Sequence, residues 1–273
     1  IGNGDDAVDE VVEDEHGEKR VRWNEQKAEA YWRAQSEAVK AAEKQYAAAT
    51  EEMFQRAERQ VLGSAKSVKR IEQLNLAELL SLWMSATGKA RESLFQRMIE
   101  LAVQSVGGDL AEVQSDVDNL RKAAEREVTA KVNEALGQTQ ADISKVLTAN
   151  QGKPEAEVRD ALKEAFKTMS SGRTTAIART TARAQSTRTL NDTWQRVNDR
   201  TQDPKRKLAL VWLTRRDGKV RSSHKAMDGK VVEMGTPFQL PEGDVMEGPG
   251  LGGSASNAIN CRCVVRAVRK GNL

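Results

Sequence analysis

The chain is short of the residues that carry most catalytic and metal chemistry. Its 273 residues include two histidines, His16 and His224, and two cysteines, Cys261 and Cys263. One histidine outside an acidic N-terminal stretch leaves little from which to build a nucleophile-base relay. Two cysteines one residue apart exclude an ordinary disulfide framework, and that scarcity fits a protein made in a reducing cytoplasm. Aromatic residues are 4% of the chain and charged residues 30%. Alanine-rich, charge-rich sequence of this kind builds long helices that gain their stability by packing against other helices. No apolar run approaches the ~20 residues of a membrane span, so no membrane partner is expected. The start at Ile1 carries no secretory pattern and is expected to continue something longer.

Charge is unevenly placed. Residues 1–18 hold eight carboxylates and no Lys or Arg, and they are expected to form a disordered acidic tail, because like charge with little apolar surface cannot offset the entropy of ordering. Between Arg173 and Lys225 there are fourteen Lys and Arg against four Asp. Such a basic half has the electrostatic footprint of a polyanion binder. Arg179, Arg183, Arg215, Arg216, Lys219, Arg221, Arg262 and Arg266 are the expected contacts to duplex DNA, made to phosphate and so without sequence preference.

Apolar periodicity predicts helix over most of the first 200 residues. From Asn24 to about Leu62, Trp32, Val39, Tyr46 and Met53 recur every seven residues. A stripe this narrow suits a seam against a neighbouring helix, which points to coiled-coil packing between copies or against a partner. Further helices are expected at about Val68–Val106, with an interruption near Gly88, at Leu110–Leu136, ended by Gly137, and at Ala141–Ala149. Pro154 opens another, and a separate one spans Thr174–Asn198 beyond "SSG". Residues 19–150 thus read as a helical stalk.

Past Pro204 the period changes to two. "LALVWLT", "KVRSS", "KVVEM" and "AINCRCVVRAV" read as strands, with Asp-Gly pairs marking turns. His224 falls on a turn between two of them, and Cys261 and Cys263 share one face of the last. The Pro- and Gly-rich stretch from Thr236 to Asn257 reads as a long loop. The expected fold is α+β, with long N-terminal helices followed by a small antiparallel sheet domain over residues 151–273.

His224, Cys261 and Cys263 supply three donors of the kind that bind zinc, but a lone histidine is only half of a paired signature. Alternation with Ile259 and Val265 favours the plainer reading, that the cysteines are small core residues. No cofactor and no resident metal are therefore expected. His224 beside Arg221 also suits a general base with an adjacent cation, as in a nuclease or a nucleotide-dependent transferase. Without a partner acid this is the lesser reading, and the chain is not expected to be an enzyme.

Several ordered elements carry a family resemblance. "RTTARAQSTRTLNDTW", "WLTRRDGKVRSSHKAMDGKVVEMGTPF" and "NAINCRC" together resemble the phage Mu F-like head morphogenesis proteins, minor head proteins of tailed bacteriophages. The matching positions are Trp212, Thr214, Arg221, His224, Asp228, Gly229, Asn260, Cys261, Arg262 and Cys263. "RVRWNEQKAEAYWRAQSEAV", Arg20 to Val39, resembles the C-terminal region of phage portal proteins, which form rings. The resemblance implies a virion protein inside the capsid near the portal vertex. Its implied partners are the portal or copies of itself in a ring, and its implied work is head assembly, DNA packaging or ejection.

Overall fold

The computed structural model describes residues 10–14, 17–23, 25–63 and 74–273. An antiparallel hairpin opens the chain, β1 (Glu10–Glu13) on β2 (Lys19–Arg22), with Glu10 opposite Arg22 and Glu13 opposite Lys19. This corrects the expected disordered tail over its described part. The acidic run meets the basic "KRVR" strand directly, and opposite charges across the pair offset what the acidic run could not offset alone. Residues 1–9 lie outside the described residues.

Helix α1 (Glu25–Gly63) follows, then α2 (Leu76–Ala86) and α3 (Gly88–Ser105), separated by Thr87. The start of the helix expected from Val68 lies outside the described residues up to position 73. After two short 3-10 turns come α4 (Val117–Ala149) and α5 (Glu155–Arg200), joined at Pro154. Gly137 does not end a helix, and "SSG" does not divide α5. In α4 the buried stripe Val128, Val132, Leu136, Thr139 and Ile143 passes through that glycine without a break. Packing outweighs the ~1 kcal/mol a helical glycine costs.

The axis of the fold is α5. Gln35 of α1 donates to Ser186 Oγ at 3.0 Å, and the Leu62 carbonyl accepts from Arg159, so α1 runs antiparallel along α5. On another side α4 runs antiparallel too, with Asp142 paired to Arg173 and Glu127 to Arg188. Helix α3 closes a third side, where Trp194 Nε1 donates to the Ala102 carbonyl at 2.9 Å. Surrounded in this way, the stretch from Ala178 to Val197 buries alanines, threonines and serines that let three helices approach closely. Its threonines return their hydroxyls to carbonyls one turn back, as Thr189 does to Gln185 and Thr193 to Thr189.

That geometry overturns the expected seam between copies. Val39, Tyr46 and Met53 are fully buried within the chain. The Tyr46 hydroxyl donates to Gln185 Oε1, and its ring meets Trp83 edge-on at 5.0 Å. Trp32 is partly buried against the C-terminal part. A seven-residue repeat reports a helical partner, and here that partner is α5 of the same molecule.

The C-terminal part holds two three-stranded antiparallel sheets. In the first, β3 (Leu208–Leu213) lies between β4 (Val231–Glu233) and β8 (Val264–Arg269), with Trp212 opposite Val265. All six residues of β3 are buried. The second sheet, β5 (Phe238–Gln239), β6 (Val245–Gly248) and β7 (Leu251–Gly252), occupies the stretch expected to be a loop. It is fastened to α5: Thr187 donates to the Pro249 carbonyl at 2.8 Å, and Asn191 to that of Glu247 at 2.9 Å. The sequence of this segment shows no alternation because glycines make its turns and α5 supplies its buried face.

"KVRSS" is not a strand. Ser222–Ala226 form a short helix, α6, and a second, α7 (Ala255–Ala258), precedes the cysteines. The helical and C-terminal parts share one core, since the Tyr31 hydroxyl of α1 donates to the Val265 carbonyl of β8 at 3.0 Å. The first half is therefore no free stalk. Among the described residues no helix is long and apolar enough to cross a membrane.

Candidate functional site

The elements that carry the family resemblance fold into one knot at the end of the first sheet. Strand β3 delivers Trp212, and Thr214 lies just beyond it. The Thr214 amide and hydroxyl both donate to Asp228 Oδ1, at 2.8 and 3.0 Å, while Arg216 Nε donates to Asp228 Oδ2 at 2.9 Å. Asp228 thus closes the turn that follows β3. The next residue, Gly229, has φ of +76° and donates to the Trp212 carbonyl at 2.8 Å. Its own carbonyl accepts from Val21 of the N-terminal hairpin, also at 2.8 Å.

Helix α6 carries His224, which is 1% exposed and lies edge to face with Trp212 at 5.2 Å between ring centres. The sequence placed it on a turn between two strands. Across from it, Ile259 leads into Asn260, whose φ of +56° turns the chain toward Cys261. Asn260 accepts from Arg179 at 3.2 Å, and the Ile259 carbonyl accepts from Arg221 at 2.5 Å. Neither cysteine is in a strand, because β8 begins at Val264. Both nevertheless turn inward: the two Sγ atoms each lie 3.6 Å from His224 Nδ1. Arg262, between them, points outward and holds Asp217 in a two-pronged pair at 2.7 and 2.8 Å.

Cys261 is held well below the usual thiol range, first by a hydrogen bond from Cys263 and then by His224. Cys263 is pushed well above it by its hydrogen bond to Cys261, then by burial and by its neighbour's charge. Arg183 of α5 stands close by, 4% exposed, with Nε and Nη1 lacking any hydrogen-bond partner. Burial pulls its pKa down, and the charges of Cys261, Glu43 and Cys263 oppose that pull. The turn after β6 covers it, since a Cβ at Gly250 would lie 2.6 Å from Arg183 Cγ.

The expected DNA contacts therefore separate into groups. Arg183 and Arg266 are buried, which removes both as phosphate ligands. Arg266 instead lies over Trp23 and Tyr31, 4.7 and 5.2 Å from the ring centres. Arg215 pairs with Glu29 and covers Trp32, Arg179 sits beside Glu43 at 3.6 Å, and Arg216, Arg221 and Arg262 hold the partners already given. Lys219 is exposed. The sequence reading missed the binding of the Pro- and Gly-rich segment by its own polar side chains. Asp244 accepts from Ser254 Oγ at 2.6 Å and from Asn257 Nδ2 at 2.8 Å, and Glu242 accepts from Asn257 at 2.9 Å. No spacing rule announces such a set, whose members meet only because two turns bring them together.

A histidine sealed in this way cannot reach a polymer substrate. The knot can hold something of atomic size, or simply hold itself. Residues 137–266 match the family model described as Phage Mu protein F like protein. The matched span, just under half of the chain, contains every motif residue of the knot, and over that span the chain is similar to the phage Mu F-like family. The chain is also 31% identical over 90 residues to the NAD(+)--arginine ADP-ribosyltransferase EFV of Enterococcus faecalis, a match covering 33% of this chain and 18% of that enzyme. It thus spans less than a fifth of that relative. No solved structure matches the chain.

Proposed function

We propose that the chain acts without chemistry of its own, as a minor head protein inside the capsid by the portal vertex, in head assembly and the packaging or ejection of DNA. The observation that carries this reading is the burial of the motif's histidine and cysteines: His224, Cys261 and Cys263 are 1 to 2% exposed. Thr214 bonds to Asp228, Trp212 and Gly229 bond through their backbones, and Asn260 is held by Thr180 and Arg179 of α5. A signature used up in its own folding supports a scaffold more than a nuclease or a transferase. Resemblance of Arg20–Val39 to portal helices supports the portal as a neighbour. With α1 covered by α5, that neighbour must meet an outer face of the bundle.

DNA contact in this reading belongs to the outer cations alone. Arg216, Lys219 and Lys225 are exposed and Arg221 partly so, on the turns around α6. Such a sparse set gives weak, nonspecific, salt-sensitive binding. Changing these four to alanine is expected to flatten the dependence of duplex affinity on salt, while Arg183→Gln leaves it alone. An unchanged salt slope in the fourfold variant sinks the DNA contact, and duplex or RNA cleavage abolished by His224→Ala sinks the non-enzymatic reading.

A further inference from the structure

We propose that His224 Nδ1, Cys261 Sγ and Cys263 Sγ hold a zinc ion, with the Arg183 guanidinium donating to the metal-bound thiolates from behind. The three donor atoms come from two segments more than thirty residues apart and lie within 4.8 Å of one another. Zn–S bonds of about 2.3 Å and Zn–N bonds of about 2.0–2.1 Å at a tetrahedral angle separate sulfur from nitrogen by roughly 3.5 Å. The spacing here is 3.6 Å to both sulfurs.

A single imidazole nitrogen offers either one hydrogen or one lone pair, so of the two sulfurs 3.6 Å away Nδ1 serves one and leaves the second to the other thiol. A metal ion satisfies all three atoms together. Two thiolates and a neutral imidazole are also the donor set that selects zinc over calcium or magnesium, which take oxygen ligands. Among the described residues the cluster offers three ligands, a number that leaves zinc one open position.

Arg183 is the second observation. A buried guanidinium with Nε and Nη1 unpartnered, closed over by the turn at Gly250, needs acceptors. A metal-bound thiolate keeps lone pairs free to accept from it. The charge count closes as well: Zn²⁺ displaces the thiol protons to solvent, and the ion with its two thiolates is neutral, so the guanidinium does not face a net cation.

The test uses the whole chain, purified without a metal-affinity tag, stripped with a chelator under reducing conditions, and titrated with Co²⁺ and then Zn²⁺. A stoichiometric thiolate-to-cobalt charge-transfer band, bleached by zinc, together with a melting temperature that rises on zinc addition, is the expected result. Cys261→Ser, Cys263→Ser and His224→Ala should each weaken the metal by more than about a hundredfold, and Arg183→Gln by roughly 10- to 100-fold. Stripped wild-type protein that shows no such band and no thermal shift overturns the proposal, and this needs no variant that folds. Undiminished metal uptake by the Cys261→Ser/Cys263→Ser double variant overturns it too, by placing the ion elsewhere.

Discussion

The indole N–H of Trp32 donates to the carbonyl of Arg262 at 2.9 Å, across 230 positions of sequence. One bond ties the first long helix to the residue between the two cysteines. Arg215 stacks 3.9 Å above the same indole ring and pairs with Glu29 one turn earlier. The first long helix is thereby part of the same body as the segment that matches the family. Perturbing α1 should be felt at the cysteine knot.

Met53 is 1% exposed, and its side chain packs inside the bundle with Phe54 and Ala57 nearby. Met53→Ala is expected to lower stability by about 2–5 kcal/mol, through lost transfer energy and the cavity left behind. Urea unfolding followed by tryptophan fluorescence measures it. Sedimentation should give the same mass for variant and wild type. A variant with unaltered stability and a smaller mass would return the stripe to an interface between copies.

Gly229 is the most constrained glycine of the knot. At φ +76° a side chain is strained, and a Cβ there would lie 2.3 Å from the Val21 carbonyl oxygen, a fixed backbone atom. Gly229→Ala must therefore push the N-terminal hairpin away or abandon the turn. We expect a loss of more than about 1 kcal/mol, with faster amide exchange at Val21, whose N–H is bonded to the Gly229 carbonyl. Protection at Val21 equal to that of wild type would show that the hairpin is held elsewhere.

Asp244 anchors the Pro- and Gly-rich segment. Hydrogen bonds from the Ser254 and Asn257 side chains, then from backbone amides, hold its carboxyl down at about 2. In an unfolded chain an Asp titrates near 3.9. The folded value is the lower one, so the stabilisation is complete above about pH 4 and is lost as pH falls toward 2. Carbon-detected NMR of the Asp244 carboxyl across that window should give the depressed midpoint, and Asp244→Asn should abolish the acid-side loosening of Ser254. A midpoint near 4 would mean the anchor is not formed in solution.

Much of this fold was legible because its elements carry their own periods. The buried stripe of α1 and the strands β3, β4 and β8 follow from seven-residue and two-residue repeats, the end of α1 from Gly63, and Asp228-Gly229 from turn chemistry. What the repeats cannot convey is the identity of the surface they pack against. Trp32, Val39, Tyr46 and Met53 announce a partner helix without naming α5, and Arg183 looks like any other basic residue until α5 is enclosed on every side. "KVRSS" alternates like a strand, yet Ser222 to Ala226 close a helical turn that carries His224 inward. The convergence of His224 with the cysteines depends on that turn and on the left-handed Asn260, two local bends invisible to any count of spacings.

Gly137 and Gly172 show where a local rule yields to packing, and how to measure by how much. Each reads as a helix stop, yet each lies inside a long helix, exposed, with nothing within 4 Å of where a Cβ would stand. Neither has a positive φ among the glycines that do. Alanine at either place keeps the backbone, touches nothing and removes the extra freedom glycine has in the unfolded chain. Gly137→Ala and Gly172→Ala are each expected to add about 1 kcal/mol, a rise in melting temperature of roughly 2–4 °C for a chain of this size. Differential scanning calorimetry reads this directly. A fall in melting temperature for either variant would mean that the helix bends at that glycine in solution and that the sequence-based stop was the better description there.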